Sequence, residues 1–407
     1  MNCLDLFAGA GGLSEGFRRC GFNIVAHVEK DRAASLTLKT REAFYYLKNE
    51  NKLNIYIDYL SKKITRDQLY SQIPEAILNK VIHQEISDET FEQISEKIGN
   101  EKIDIVIGGP PCQAYSIAGR SRDPNRMKND PRNFLYKQYL RFIKKYDPNF
   151  FLFENVMGIK TAKDGTIFEQ IKTDMINLGY HIDHRVLNSK DFGVLQSRKR
   201  VIIIGWKKDI DFQFPDFPCS EPSYTINDLF NDIPFTKAGV KHGLHEHTWP
   251  DSQCLRDLHI RDETCNYLVQ HEVRPNRDND LEIYRICVEN WNDGQKKLKY
   301  NELPENLITQ KNTKSFLDRF KVVPGEGISH TVVAHISKDG HYYIHPDVEQ
   351  NRSISLREAA RIQSFPDDYY FEDSRTSAFV QIGNAVPPLM AQGIAAEIIK
   401  AIEQNNL

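Results

Sequence analysis

The first twenty residues constrain the fold more than any other stretch of this chain. Residues 3–7 read CLDLF, which is typical of a short buried strand, and AGAGG follows before the helical pattern of LSEGFRRCG. Glycines at positions 9, 11 and 12 let a backbone approach a ligand at the N-terminus of a helix. The sequence therefore predicts a strand–turn–helix unit that opens an α/β domain.

Strand and helix patterns then alternate through the first half of the chain. Apolar strand patterns recur at residues 23–28, 103–107, 150–156, 180–187 and 201–206, with helical spacing at 133–146 and 167–178. This alternation predicts a doubly wound sheet that is mainly parallel. Residues 31–80 also look helical; they are long for a connection, and we assign them no function.

The regular pattern weakens from about residue 216 and returns near the C-terminus. Residues 356–363 predict a short helix, and residues 387–402 predict a longer one with an apolar face. We expect the last helix to cover the sheet beside the first strand. Residues 1–215 with 380–407 are therefore predicted to form one domain, and residues 216–379 a second, smaller, loop-rich domain.

Composition excludes several classes of protein. The chain has 407 residues, 40% hydrophobic and 27% charged, with a net charge of −3, so nucleic-acid binding would need local basic clusters. Seven cysteines without a C-x-x-C pair favour a reducing compartment. No stretch reaches the roughly 18 apolar residues of a membrane span, so no membrane partner is expected.

An acid near the glycine turn indicates what could bind there. Glu29 closes the second strand, about where an acid binds ribose hydroxyls in α/β folds. Ser14 stands where a dinucleotide-binding pattern would have its third glycine. The residues favour a nucleoside cofactor without demanding a pyrophosphate, and a tight turn with no ligand is the alternative.

Five short motifs occur in a defined order: LDLFAGAGGLSEGF, PPCQAYS, FENV, QSRKR and QIGNAVPP. Together they resemble the motifs of DNA (cytosine-5) methyltransferases, and REAARIQSFPDDYYF is similar to a further motif of that family. The resemblance covers most of residues 1–206 and about 350–395. It implies the doubly wound mixed sheet of S-adenosylmethionine-dependent methyltransferases. Residues 1–215 with 380–407 would then form the catalytic and cofactor-binding domain, and residues 216–379 a target-recognition domain that reads DNA.

The resemblance also implies catalytic roles. Cys112 would add as a thiolate to carbon 6 of a cytosine rotated out of the duplex, which activates carbon 5 toward a sulfonium methyl group. Glu154 would contact N3 and the amino group of the base, and Asn155 would hold that loop. Arg200 would contact the base oxygen O2, while Arg198 would orient the site or a phosphate.

Cofactor residues carry over by position. The resemblance implies that S-adenosylmethionine contacts Phe7, Gly9, Gly11, Gly12, Glu29, Glu85, Ile86, Pro111, Leu135, Asn384 and Val386. Two positions depart from the family. Glu85 stands where an aspartate is usual, and Lys30 follows the ribose-binding acid where an apolar residue is common.

DNA contacts are expected from two regions. The segment after Cys112 is basic and contains glycine, so it could close over DNA, although a solvated surface loop has the same composition. The resemblance implies DNA contacts at Gln113, Ser116, Arg120, Arg122, Gln196 and Thr331. The partner would be double-stranded DNA, with a cognate restriction endonuclease acting on the same site, and the enzyme would be a cytosolic bacterial monomer associated with the nucleoid.

Two other functions are compatible with parts of this motif set. A tRNA cytosine-5 methyltransferase shares much of the motif set, but the large variable segment favours DNA. A catalytically silent DNA-binding protein on the same fold is disfavoured by the presence of Cys112, Glu154 and Arg200 together. No metal is expected, because the histidines and cysteines between residues 219 and 265 match no standard zinc spacing.

Overall fold

The computed structural model describes residues 1–111, 135–217, 221–246 and 252–405. The strands are β1 (Asn2–Leu6), β2 (Asn23–Glu29), β3 (Val81–His83), β4 (Ile105–Gly108), β5 (Phe150–Asn155), β6 (Tyr180–Asn188), β7 (Lys199–Lys207), β8 (His245–Glu246) and β9 (Tyr267–Leu268). The first seven form one sheet in the order β3-β2-β1-β4-β5-β7-β6. Strands β1 to β5 are parallel, and β7 runs antiparallel to β5 and β6. The predicted doubly wound mixed sheet is confirmed.

Helices cover both faces of this sheet and build the rest of the chain. The α-helices are α1 (Gly12–Arg19), α2 (Arg32–Asn49), α3 (Leu53–Leu60), α4 (Arg66–Tyr70), α5 (Glu75–Leu78), α6 (Phe91–Ile98), α7 (Leu135–Tyr146), α8 (Thr166–Asn177), α9 (Ile226–Phe230), α10 (Gln253–Asp257), α11 (Asp278–Asn292), α12 (Leu356–Ile362), α13 (Arg375–Asn384) and α14 (Pro388–Gln404). Short 3₁₀ helices lie at Met157–Gly165, Ser189–Phe192, Tyr300–Glu302, Glu305–Leu307 and Ala334–Ser337.

The central strands are buried on both faces, as parallel strands between helical layers must be. Ile105, Val106 and Ile107 of β4 have no exposed surface. Val106 faces one apolar cluster and Ile107 the other, since successive side chains alternate across the sheet. This burial explains why β4 and β5 read as continuous apolar runs.

The C-terminal helix α14 packs beside the first strand, as expected. Ile394 and Ile398 are fully buried in one cluster with Cys3 and Ile24. The run Arg375–Gln404 has the length and mean hydropathy, 1.2, of a membrane-crossing helix, but 61% of its most apolar window is buried inside the protein. This run is therefore part of the core, and its second helix, α14, packs against α1 near the start of the chain.

Gly12 permits this closure, and its replacement is expected to destabilise the fold. A Cβ atom at Gly12 would lie 2.0 Å from the carbonyl oxygen of Val386, a backbone atom that cannot yield locally. We expect Gly12→Ala to lower the free energy of unfolding by about 3 kcal/mol, measured by thermal or urea denaturation. Gly243→Ala is the control, since its Cβ would meet nothing within 4 Å. Equal stability of the two variants would contradict the packing described.

Residues 31–80 form helices α2 to α5, and these helices pack on the later part of the chain. The Arg41 guanidinium is buried between Glu15 and Asp368, with nitrogen–oxygen distances of 2.7 and 2.8 Å. The hydroxyl of Tyr56 donates to the carbonyl of Asp368 at 2.9 Å. This insert therefore links α1 to the segment around residue 368, a structural role that the sequence did not indicate.

The second half of the chain has apolar clusters of its own. One surrounds α11 and includes Ile283, Tyr284 and Phe320. A larger one joins Ala10 and Leu195 to residues between 226 and 385. Because that cluster crosses the predicted boundary, the division into residues 1–215 with 380–407 and residues 216–379 stays a prediction.

Candidate functional site

The site lies at the carboxyl edge of the sheet, where β1 and β4 are neighbours. From β1 the strand order runs outward in both directions, so the loops after β1 and β4 leave a crevice between them. The loops after β2 and β5 open on the same edge. Because β7 is antiparallel to β5, its first residues also lie there, with Val201 opposite Asn155.

The glycine turn after β1 has an unusual backbone. Phe7 has a φ of 56° and Gly9 a φ of 55°, both in the left-handed region, which a phenylalanine rarely adopts. The hydroxyl of Tyr369, from the late part of the chain, donates to the carbonyl of Ala10 and so stabilises the turn. A Cβ atom at Gly9 would meet nothing within 4 Å, so the turn faces open space. The structure thus presents a fixed cradle at this edge.

Glu29 lies beside this cradle. Its Oε2 accepts the backbone N–H of Gly9 at 2.8 Å, and its Oε1 accepts that of Asp31 at 2.7 Å. Burial raises the pKa of Glu29 above its ordinary value. Among the described residues no cation forms an ion pair with it. Each carboxylate oxygen keeps a lone pair for a further donor, so this carboxylate suits the hydroxyl groups of a ribose.

The other predicted cofactor residues surround the turn at different depths. The carbonyl of buried Val386 approaches Gly12, which brings the QIGNAVPP motif against the glycine turn, while Asn384 is exposed at the end of α13. Ile86 is 3% exposed and packs into the core. Glu85 is exposed, and its carboxylate pairs with Lys30 at 3.0 Å. The two departures from the family pattern thus contact each other.

Two predicted cofactor residues flank the undescribed segment. Pro111 is the last described residue after β4, and Leu135 begins α7. Both are partly buried. They stay predictions for cofactor contact.

Glu154 and Arg200 meet at the end of β5. The Oε1 of Glu154 lies 2.7 Å from the Nε of Arg200, and their side chains are 13% and 11% exposed. Each therefore keeps a solvent-facing part while its partner fixes its orientation. A carboxylate and a guanidinium side by side offer complementary hydrogen bonds to a heterocycle that carries both acceptors and an amino group.

Asn155, the last residue of β5, connects two of the loops at this edge. The side-chain amide of Asn155 donates to the carbonyl of Pro110 at 3.3 Å and its oxygen accepts the N–H of Val156 at 2.8 Å. This contact ties the loop after β5 to the loop after β4. The predicted role of Asn155 in holding that loop agrees with this geometry.

Gly109 is a residue whose importance the sequence did not reveal, although two glycines before two prolines were a visible signal. A Cβ atom there would lie 2.6 Å from the Oε2 of Glu154. We expect Gly109→Ala to displace that carboxylate and lower kcat about a hundredfold, measured by single-turnover methyl transfer with cofactor affinity unchanged. Gly327→Ala, where the nearest atom would be 3.6 Å away, is the control. Wild-type kcat in Gly109→Ala would show that the position of Glu154 is unimportant.

Arg198 is fully buried and carries its charge without an ion-pair partner among the described residues. Its guanidinium donates to the carbonyls of Val332 at 2.6 Å and Gly383 at 3.0 Å. Burial, and then the charge of Arg200, holds the pKa of Arg198 well below its usual range. Of the two predicted roles, orienting the site fits this placement, and contact with a phosphate does not.

The predicted DNA contacts Gln196 and Thr331 lie next to each other in the fold. The amide of Gln196 is fully buried, donates to Gln363 at 2.8 Å and accepts the N–H of Val332 at 2.7 Å. The hydroxyl of Thr331 donates to the carbonyl of Ser197 at 2.6 Å. Both side chains join the QSRKR segment to the later part of the chain, and their contact with DNA stays a prediction.

Several predicted residues lie outside the described part of the chain: Cys112, Gln113, Ser116, Arg120 and Arg122. Gly109 to Pro111 lead directly to Cys112 from the end of β4. Within residues 1–111, 135–217, 221–246 and 252–405, no cluster of three or more histidine, cysteine or acidic side chains could hold a metal ion.

A mixed seven-stranded sheet with a glycine turn and an acid at its carboxyl edge defines the S-adenosylmethionine-dependent methyltransferase fold. Solved structures share it: a protein described as a DNA modification methyltransferase from an E. coli prophage has a TM-score of 0.66 at 22% identity, covering 99% of both chains. The Entamoeba histolytica methyltransferase EhMeth has a TM-score of 0.53 at 15% identity, covering 100% of this chain and 99% of the other.

Sequence comparison is more specific than the fold. The model of the C-5 cytosine-specific DNA methylase family matches residues 1–74 and 61–400. The type II methyltransferase M.Bpa9945I of Bacillus paralicheniformis is 41% identical, covering 99% of both chains. M.DdeI of Desulfomicrobium norvegicum is 32% identical, covering 100% of this chain and 90% of the other. This chain belongs to the C-5 cytosine-specific DNA methylase family and is a DNA cytosine-5 methyltransferase.

Proposed function

We propose that this enzyme methylates carbon 5 of a cytosine rotated out of a specific short site in duplex DNA, through a transient bond between Cys112 and carbon 6 of the base. The observation that best supports this is the contact of Glu154 with Arg200, 2.7 Å apart at the sheet edge. Gly109 packs against that carboxylate, and Cys112 follows Gly109 by three residues. The chain that leads to Cys112 therefore leaves β4 beside the Glu154 carboxylate.

The chemistry assigns each group a step. The Cys112 thiolate adds to carbon 6, which forms a sulfur–carbon bond and makes carbon 5 nucleophilic. Glu154, as a protonated acid or a proton donor during the attack, would donate to N3 and accept from the amino group, and Arg200 would donate to O2. Both therefore stabilise the negative charge that develops on the ring. Carbon 5 then takes the methyl group of S-adenosylmethionine, and S-adenosylhomocysteine is the leaving group. Loss of the carbon 5 proton to a base breaks the sulfur–carbon bond and releases the thiolate.

The cradle after β1 fits S-adenosylmethionine. When bound, this cofactor supplies a methyl group on a positively charged sulfur. Glu29 would hold the ribose hydroxyls, because it is a half-buried carboxylate without a counter-ion among the described residues. Phe7 would lie against the adenine, and the open space at Gly9 leaves room for the methionine portion.

The biological setting follows from the relatives. Those described above are named type II methyltransferases, so we propose that this enzyme is the modification half of a restriction–modification system. A cognate endonuclease would cut the same DNA site without needing to contact this chain. We propose a monomer, since one flipped base needs one active site, acting on DNA in the bacterial cytosol.

Transfer of a labelled methyl group to duplex DNA or to tRNA tests this function. We expect label in duplex DNA, at cytosine carbon 5, and none in tRNA. Methylome sequencing of cells that express the chain would then identify the site. Label in tRNA alone would replace the proposal by the tRNA alternative.

A further inference from the structure

A short loop in the predicted recognition domain, residues 310–319, presents an aromatic ring to solvent. Phe316 is 74% exposed, the most of any large apolar side chain in the described ranges. Its backbone has a φ of 54°, in the left-handed region. A bulky residue in this backbone region persists only where the surrounding structure holds it there.

The loop is held by a buried arginine. The Arg319 guanidinium donates to the carbonyls of Asn312 and Ser315, at 2.8 and 3.0 Å, and its Nε donates to that of Phe316 at 2.9 Å. It also lies over the ring of Tyr300, 3.9 Å from the centroid. The hydroxyl of Tyr300 accepts the N–H groups at both 309 and 310. The backbone of this loop is therefore satisfied from the inside, and Phe316 points away from it.

The loop carries two exposed, unpaired lysines although the whole chain has a net charge of −3. The other basic residues nearby are less available, since Arg319 is buried and Lys299 and Lys321 pair with Glu302 and Asp318. Lys311 and Lys314 precede Phe316 in the same loop, are exposed, and have no carboxylate within ion-pair distance among the described residues. This charge is complementary to a polyanion.

The loop is connected to the catalytic edge through a short series of contacts. Ser197, two residues before Lys199 at the start of β7, donates its N–H to the carbonyl of Ser329 at 2.9 Å. The imidazole of the next residue, His330, bonds to the carbonyl of Tyr342. The ring of Tyr342 lies 4.7 Å from the ammonium group of Lys321, and its hydroxyl is 3.5 Å from Asp318. The loop therefore belongs to the framework that also carries Arg198 and Arg200.

We infer that residues 310–319 form a DNA-contact loop in which Phe316 packs against a base step and Lys311 and Lys314 bind phosphates of the duplex. The inference rests on the proposed function, since it places this surface on the duplex that is methylated. A fixed, exposed aromatic ring with two unpaired lysines in the same loop suits a duplex, where apolar insertion and phosphate contact occur together. When this loop contacts DNA, the side chain of Gln196 can keep its buried position.

Binding of the full chain to duplex DNA, measured by fluorescence anisotropy over a range of salt concentrations, tests this loop. On a duplex with the site found by methylome sequencing, Phe316→Ala should weaken binding about tenfold, while Phe316→Tyr should stay near wild type. Lys311→Ala/Lys314→Ala should reduce the slope of log Kd against log salt by about 2, on cognate and random duplexes alike.

Lys208→Ala is the charge control, because this exposed lysine follows β7 at the end opposite Arg200. S-adenosylmethionine affinity should be the same in all variants, which excludes loss of folding. If the wild-type chain methylates DNA and the loop variants bind DNA with wild-type affinity, the inference is wrong and the proposed function stands. A wild-type chain that methylates no duplex overturns the proposed function, and an unchanged salt slope on random DNA would separately exclude the loop.

Discussion

Cys112→Ser should reduce methyl transfer by more than about a thousandfold while leaving the binding of DNA and S-adenosylmethionine intact. A hydroxyl is similar in size to a thiol but is a far weaker nucleophile near neutral pH, because it does not ionise there. Without addition to carbon 6, carbon 5 of cytosine does not attack a methyl sulfonium. Single-turnover transfer of labelled methyl groups to the cognate duplex measures the loss.

A second cysteine provides the control for this variant. Cys20 is half-buried, and its thiol lies 3.3 Å from the carbonyl of Gln392, a contact that serine can replace. Cys20→Ser should therefore keep wild-type activity. Substantial methylation by Cys112→Ser would remove the covalent step from the account.

Glu154→Gln should lower kcat by a factor of about 10² to 10⁴ with little change in cofactor affinity. The amide has nearly the shape of the carboxylate and fits beside Gly109, but it carries neither the charge that pairs with Arg200 nor a transferable proton. The effect should appear in the methyl-transfer step of a single turnover. Glu169→Gln, at an exposed position on α8, is the matched control and should behave as wild type.

The cofactor assay separates this result from misfolding. Since Glu29 and Glu154 lie after different strands, a Glu154 variant that binds S-adenosylmethionine normally has kept its cradle. If Glu154→Gln methylates at the wild-type rate, contact of this group with the base has no catalytic role.

Local sequence predicted the sheet because its signals are local. Strand β4 and the first four residues of β5 are continuous apolar runs, and β1 and β2 are apolar runs interrupted by Asp5 and His27. The apolar face of α14 repeats at helical spacing. Helix α11 is not among the predicted elements, although its buried residues Ile283, Tyr284, Cys287 and Val288 recur at helical spacing. Its local pattern was therefore present in the sequence, whereas its packing against Phe320 is a tertiary contact that no local pattern shows.

In the candidate site, too, sequence motifs predicted some residues, whereas tertiary contacts determine the position of others. Glu154, Arg200, Glu29 and the glycine turn were predicted from motifs, and the structure brings the first two into direct contact. Arg198 lies in a basic run that resembles a surface segment. It is nevertheless fully buried, and its guanidinium donates to the carbonyls of Val332 and Gly383. Those partners are more than a hundred residues away, so no local pattern could have shown that Arg198 joins three segments of the chain.

Reaction with a duplex carrying 5-fluorocytosine at the cognate site tests the central claim most directly. Fluorine at carbon 5 blocks the final elimination, so the sulfur–carbon bond should persist as an adduct that survives denaturation. Mass spectrometry should locate that adduct on the peptide containing Cys112. An active preparation that forms no adduct at its own site, or forms one at another cysteine, would contradict the mechanism proposed for this enzyme.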